Sequence, residues 1–399
     1  MSTGGPIATR YTKKTRVSWL SRLGNAFIGI PVGLLVMITG IVLLSWNEGR
    51  AVQTARSLAE AGGIVVSVDA GTIDPVREGA LVHVTGTLSV PEAVADPEFG
   101  IAEPVARLVR TVEMYQWEEE RRTETRQQAG GSEERITTYN YRPLWSDREI
   151  DSSRFERAAE HRNPPKPYAN REAYSEAATL GAFAVDRALL RQLPASKEVR
   201  VPAEAAGALT GRFDAPVTIS DGRILVGNDP ASPQIGDLRI SFSAAPAGPI
   251  SVMGRQSGSG FSEYPTPAGD AILMAEAGMV PADQMIRAAE RENTIMTWLL
   301  RLAGAAAIFF GVLMVLQPVA IFADVVPLLG SIVRGGTGLV ATAVTLVLAP
   351  LVLAVAWLAY RPITAVVVFA LGAGAAISVQ RLIARRAAAG EEAQKVADG

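Results

Sequence analysis

Few residues in this sequence have the type and spacing to do chemistry. The chain holds two histidines, His83 and His161, and no cysteine. Thiol nucleophiles, disulfides, iron–sulfur clusters and cysteine zinc sites are therefore excluded. A zinc site needs about three or four ligands, and no H-E-x-x-H segment supplies a histidine pair, so neither a metal nor a cofactor is expected. No G-x-x-x-x-G-K-[ST] loop cradles phosphates and no G-x-S-x-G elbow presents a serine. Gly258-Ser259-Gly260 lacks the elbow spacing and reads as part of a flexible link over residues 256–260. His83 sits in an alternating strand segment and reads as a half-buried structural side chain. His161 precedes Asn163-Pro164-Pro165-Lys166-Pro167 and is a loop candidate, either as a functional group or as a cap. Tyr115, Trp117, Tyr139, Tyr141 and Trp145 would form a sugar or peptide platform or pack across paired strands; the second fits better. No catalytic residue is assigned, and a hydrolase built on paired carboxylates is the weakest reading.

The charged residues that carry more information border apolar runs. Trp46-Asn47-Glu48-Gly49-Arg50 follows the run 26–45. Trp46 suits the headgroup level, and a Glu48–Arg50 pair would fix how the following domain stands on a bilayer. Trp298 and Arg301 border the next run, where Arg301 reaches headgroups. Asp324 and Arg334 lie in 318–336, a piece broken by Pro318, Pro327 and Gly330. They read as a coupled pair within a bundle or as solvated charges of a connector.

The elements that must position these residues follow from hydropathy. Apolar runs at 26–45, 302–323, 335–360 and 362–380 are each long enough to cross a bilayer, which takes about 20 residues of helix. Residues 1–25 carry Arg10, Lys13, Lys14, Arg16 and Arg22 without an acid, the mark of a cytoplasmic end. The run of 26–45 is too long for a signal-peptide core and reads as an uncleaved anchor. The expected organisation is a basic cytoplasmic N-terminus (1–25), transmembrane helices at 26–45, 295–317, 337–360 and 362–380, an extracytoplasmic domain (46–294), a cytoplasmic or interfacial connector (318–336) and a basic tail (381–399). Net charge is −2, which gives no pull toward nucleic acid. Only five of 38 basic residues are lysine, consistent with a GC-rich bacterial genome.

Residues 46–294 are strand-rich. Residues 80–90 alternate, and 104–117 place Leu108, Arg110, Val112 and Met114 on one face. Residues 118–126 and 132–141 flank Gln127-Gln128-Ala129-Gly130-Gly131, a long charged hairpin expected to project into water. Residues 283–296 are helical and run without a breaker into the second span. Small residues at Gly29-x-x-x-Gly33, Gly304-Ala305-Ala306-Ala307, Gly311 and Gly372-Ala373-Gly374 suit close helix packing. The fold class is an α+β integral membrane protein: one N-terminal and three C-terminal transmembrane helices around a large strand-rich extramembrane domain.

Ser45-Trp46-Asn47-Glu48-Gly49-Arg50-Ala51-Val52 resembles the transmembrane protein 43 (LUMA) family. So do Tyr115-x-Trp117-x-Glu119, Tyr141 with Trp145, 161–165, Gly254-x-Gln256 with Phe261 and Tyr264, and Asn293 with Thr297-Trp298 and Arg301. The resemblance runs over about 44–360 and implies a multi-pass organiser of membrane protein complexes without established enzymatic activity. The lack of cysteine and the basic tail are departures that leave partners open. The expectation is a non-enzymatic scaffold in a bacterial inner membrane, both termini cytoplasmic, that contacts the bilayer and associates with copies of itself or with other membrane proteins. The alternative is lipid or solute handling at the domain–bundle junction, through Trp46, Asn47, Glu48, Arg50, Trp298, Arg301, Asp324 and Arg334.

Overall fold

The computed structural model describes residues 8–128, 130–213, 215–363 and 366. The chain divides into two compact units. One comprises Met1–Ser18 with Ser57–Glu290, the other Trp19–Arg56 with Arg291–Gly399.

The first unit is built on two antiparallel-dominated sheets. Its labelled strands are β1 (Thr9–Val17), β2 (Leu81–Ser89), β3 (Val105–Gln127), β4 (Glu133–Ser146), β5 (Leu238–Pro246) and β6 (Gly248–Ser257). Among the described residues, one sheet runs β1–β4–β3–β5, then Arg223–Val226 and Val217–Ser220. The other centres on β2 paired with β6.

In β3 the even positions Leu108, Arg110, Val112 and Met114 are buried, as the alternation requires. The apolar members join Phe242, Ile240 and Ile224 in one core. Val82, Val84 and Leu88 of β2 join Leu180, Phe183, Ile250 and Val252 in another. Arg110 is the exception in the first core, 4% exposed. Its guanidinium donates to both Asp96 carboxylate oxygens at 2.9 and 3.0 Å, reaches Glu98 at 2.6 Å and lies 4.6 Å from the Phe99 ring centroid. A buried charge persists when it is paired and hydrogen-bonded in this way.

The hairpin forms as a continuous β3–β4 ladder from Met114↔Ser146 to Gln127↔Glu133. Its open edge on β4 is not left to water. β1 pairs along it from Thr9↔Tyr141 to Val17↔Glu133. Residues 9–17 are therefore part of the sheet, not of a separate basic tail. Gln256–Gly260 also departs from expectation. Ser257 pairs with Gly260 in a tight turn, and buried Gln256 donates to the Asp74 carbonyl at 2.8 Å, so the segment is structured.

The second unit is helical. Helix α1 (Trp19–Ile64) is 46 residues long, about 69 Å at 1.5 Å per residue, and its last turns belong to the first unit, where Leu58 and Ala61 are buried. Helices α2 (Ala282–Ala323) and α3 (Pro327–Tyr360) complete the described bundle. Three described helices are long and apolar enough to cross a membrane. The spans expected at 26–45, 295–317 and 337–360 fall within them. The fourth, 362–380, and the tail 381–399 lie almost wholly outside the described residues. The expected connector 318–336 is largely helical instead: α2 continues past Pro318 to Ala323, and α3 starts at Pro327. Pro327 stands at a helix N-terminus, where its missing N–H costs nothing. The turn shrinks to residues 324–326.

Gly181 closes the turn between Thr179–Leu180 and Phe183–Ala184 with φ +61°, and a Cβ there would sit 2.1 Å from the Ala70 carbonyl oxygen. Gly181→Ala is expected to destabilise the strand-rich unit by about 2 kcal/mol or more, read as a lowered midpoint in denaturant unfolding. An unfolding free energy within about 0.5 kcal/mol of the parent would show that the turn relaxes freely.

Candidate functional site

The residues of the Trp46–Arg50 segment stand on the turn of α1 where polar groups are drawn into the helix bundle. Glu48 is fully buried. Arg301 of α2 grips it with both arms, Nε to Oε1 at 2.6 Å and Nη2 to Oε2 at 2.9 Å, and the Trp357 indole N–H of α3 donates to Oε2 at 2.8 Å. Three helices thus meet on one carboxylate. Glu48 does not pair with Arg50, contrary to the expected pair. Residues two apart on a helix point in different directions. Arg50 turns instead to Asn293 Oδ1 at 3.1 Å, Thr297 Oγ1 at 3.2 Å and Asn47 Oδ1 at 3.3 Å. Fully buried Asn47 donates to the Thr297 carbonyl at 3.1 Å, and Asn293 donates to the Ala51 carbonyl at 3.0 Å. Trp46 and Trp298 remain 56% and 64% exposed, with Arg301 4.7 Å from the Trp298 ring centroid.

A second charged clamp occupies the other end of the bundle. Asp324, 1% exposed, accepts from Arg22 of α1 at 2.6 Å and from Arg334 of α3 at 3.0 Å. The reading of Asp324 as a solvated connector charge is overturned: the side chain is enclosed. From Arg22 to Glu48 is 26 helical residues, roughly 39 Å. The two clamps therefore bracket a stretch about as long as a bilayer core with its interfaces. Between them α1 and α2 come into backbone contact. A Cβ on Gly40 would meet the Gly304 carbonyl oxygen at 2.7 Å, and one on Gly33 would meet that of Gly311 at 2.7 Å. Gly33, Gly304 and Gly311 are among the small residues singled out from the sequence and Gly40 is not; all four pack helix on helix as small residues do.

The remaining candidates are structural. His161 is buried, stacked on Tyr141 (centroids 3.8 Å apart, planes 8° apart) and edge-on to Trp117 at 4.8 Å. Its Nε2 is 2.7 Å from Thr9 Oγ1 and its Nδ1 3.2 Å from the Arg157 carbonyl. Tyr115 and Trp145 are register partners with rings 5.2 Å apart, which settles the aromatic cluster as cross-strand packing. Tyr141 donates to Glu119 at 2.8 Å, and burial together with that carboxylate pushes its phenol up. Asn163 bonds the Trp117 backbone through both its amide oxygen (2.7 Å) and nitrogen (3.0 Å), as a strand neighbour would. His83 lines an open groove with Asp283, Arg287 and Glu290, but its ring nitrogens are engaged by Ser67 Oγ at 3.2 Å and the Val280 carbonyl at 2.9 Å. Among the described residues no three His, Asp or Glu side chains gather in a way that would hold a metal ion.

Sequence reasoning missed two partners. Trp357 lies in an apolar run where a tryptophan carries no special signal. Arg22 was counted only as part of a basic flank, although its distance from the other basic residues set it apart at the helix start.

A family model described as Transmembrane protein 43 matches residues 114–362. The chain is 31% identical over 376 residues to Transmembrane protein 43 of Mus musculus, covering 90% of this chain and 91% of the relative. It is 32% identical over 368 residues to that of Homo sapiens, covering 88% and 89%. A Transmembrane protein 43 homolog of Drosophila melanogaster is 29% identical over 343 residues, covering 83% and 88%. No solved structure matches the chain.

Asp324→Ala should cost about 3–5 kcal/mol, because it strips the carboxylate from buried Arg22. Arg334→Ala, whose side chain is 43% exposed, should cost under about 1 kcal/mol. Unfolding of the full chain in mixed micelles measures both; equal costs would contradict the clamp. A pH dependence follows from His83. Burial holds its imidazole below the ordinary 6.5, so the folded state binds fewer protons than the unfolded one. Stability should fall as pH drops through about 6.5. His83→Gln should flatten that part of a thermal-midpoint profile between pH 7.5 and 5.5, and an unchanged slope would rule His83 out as its source.

Proposed function

Because this chain belongs to the transmembrane protein 43 family, we propose that it is a non-enzymatic multi-pass scaffold that organises membrane protein assemblies, its own copies included. The observation that carries this reading is the use of the charges within the bundle. Glu48, Arg301, Asp324 and Arg22 are engaged in joining helices to one another. A bundle clamped at both ends is a stiff support rather than a gated or reactive one. It also presents an apolar surface: Leu339, Leu346, Val347, Leu351 and Val355 of α3 are more than half exposed. Lipid tails or neighbouring helices would cover them.

The proposed setting is a bacterial cytoplasmic membrane with the C-terminus cytoplasmic. The basic residues Arg381, Arg385 and Arg386 support that orientation. One observation favours the rival reading of a lipid- or solute-binding protein: among the described residues, the buried Nε of Arg50 has no acceptor.

Crosslinking in native membranes, followed by gentle solubilisation, affinity purification and mass spectrometry, tests the scaffold. The expected result is a ladder of homo-oligomers or a reproducible set of co-purifying membrane proteins. Only monomers without partners would sink it. Reproducible bound lipid, lost in Arg50→Ala, would move the reading to the rival.

A further inference from the structure

Arginine outnumbers its partners in the helical unit. Residues 19–56 and 291–361 hold seven arginines, no lysine and three acids, Glu48, Glu292 and Asp324. Glu48 is committed to Arg301, and Asp324 to Arg22 and Arg334. Glu292 is exposed. After Asp324 no acid follows in the sequence before Glu391. Arg50 is therefore left among neutral oxygens. Half-buried, it donates to Asn293, Thr297 and Asn47 at 3.1, 3.2 and 3.3 Å, and among the described residues no carboxylate pairs with it. Its Nε is buried and, among the described residues, has no acceptor. A charge drawn out of water needs an anion beside it, and this part of the chain supplies none.

Two more arginines stand at the same end of the bundle. Gly49 admits the Tyr360 ring of α3 against α1: a Cβ there would meet Tyr360 Cζ at 2.9 Å. Arg56 lies seven residues on, two turns along the same face of α1, and donates to the Tyr360 carbonyl at 3.4 Å. Arg361 follows Tyr360 directly. The apolar run 335–360 ends here, and exposed Trp46 and Trp298 suit the headgroup level. Phosphates are the anions of that layer.

We propose that Arg50, with Arg56 and Arg361, binds a phosphate group, supplied by an anionic phospholipid or as free phosphate. Such a site rests on the second reading above, that of a lipid- or solute-binding protein, and names the group it recognises. The planar fork of a guanidinium matches two phosphate oxygens, which a lysine cannot do. The Nε of Arg50 is the donor that a phosphate oxygen satisfies.

The full chain is purified in dodecyl maltoside, an uncharged detergent. It is titrated in native mass spectrometry with phosphatidylglycerol or with phosphatidylcholine, whose choline offsets the phosphate. The expected result is one phosphatidylglycerol held per chain, about tenfold more tightly than phosphatidylcholine. Asn293→Asp places a carboxylate where Oδ1 now meets Arg50 at 3.1 Å. It supplies the missing counterion from within and should abolish the preference. Arg56→Gln, an exposed change, should weaken the preference and carries the test if Asn293→Asp does not fold. Arg291→Gln, exposed and outside the site, should leave it unchanged. Inorganic phosphate is titrated in parallel and read by thermal midpoint. A midpoint rise that Asn293→Asp removes, without any lipid preference, assigns the phosphate to a soluble source and keeps the site. A phosphatidylglycerol preference unchanged in folded Asn293→Asp and in Arg56→Gln would overturn the site. Equal retention of both lipids with no response to phosphate would also overturn it, yet leave a lipid-handling protein. No retained lipid and no response to phosphate would overturn both.

Discussion

A carboxylate sealed among helices must be paired, and that requirement organises the helical unit. Glu48 has no exposed surface and so needs partners for both oxygens; the two arms of Arg301 and the Trp357 indole supply them. Arginine suits this role because its rigid fork matches a carboxylate and it stays charged. Asp324 repeats the arrangement with Arg22 and Arg334 at the opposite end. Each clamp takes one residue from α1, Glu48 or Arg22, and ties it to at least one other helix, so the register of the bundle is set at two levels. Glycine pairs 33/311 and 40/304 allow the backbone approach between those levels.

The strand-rich unit rests on a different logic. Its cores are apolar layers behind alternating strands, with buried Arg110 and Asp96 as a paired exception. The hairpin extends beyond those layers, and its stiffness comes from polar and aromatic contacts: His161 on Tyr141, Asn163 on the Trp117 backbone, Tyr115 on Trp145. The family-like residues 115–119, 141, 145 and 161–165 gather at the hairpin, where they hold shape, while Gly254, Gln256 and Phe261 belong to the other sheet.

How far the sequence revealed this depended on the range of the signal. Period-two alternation in 104–117, the glycine turn near 130 and the unbroken run from Asp283 into the apolar span are local patterns, and each was legible. The pairing of β1 with β4 joins residues over a hundred positions apart. Its basic sequence looked like a membrane flank because charge, not hydropathy, dominates it. Glu48 was recognised as a junction residue, but its partner lies 253 positions away on another helix, while Arg50 was near only in sequence. The prolines at 318 and 327 suggested a broken connector, yet one sits inside a helix supported by neighbours and the other starts one.

The central claim is that the Glu48–Arg301 pair couples α1 to α2, and a double-mutant cycle in bilayers tests it most directly. Glu48→Ala, Arg301→Ala and the double variant would be compared by their unfolding free energies. A coupled pair predicts that each single change costs about 3–5 kcal/mol and that the double change costs little more than either alone. Additive costs would contradict the clamp and leave the helices held by packing only.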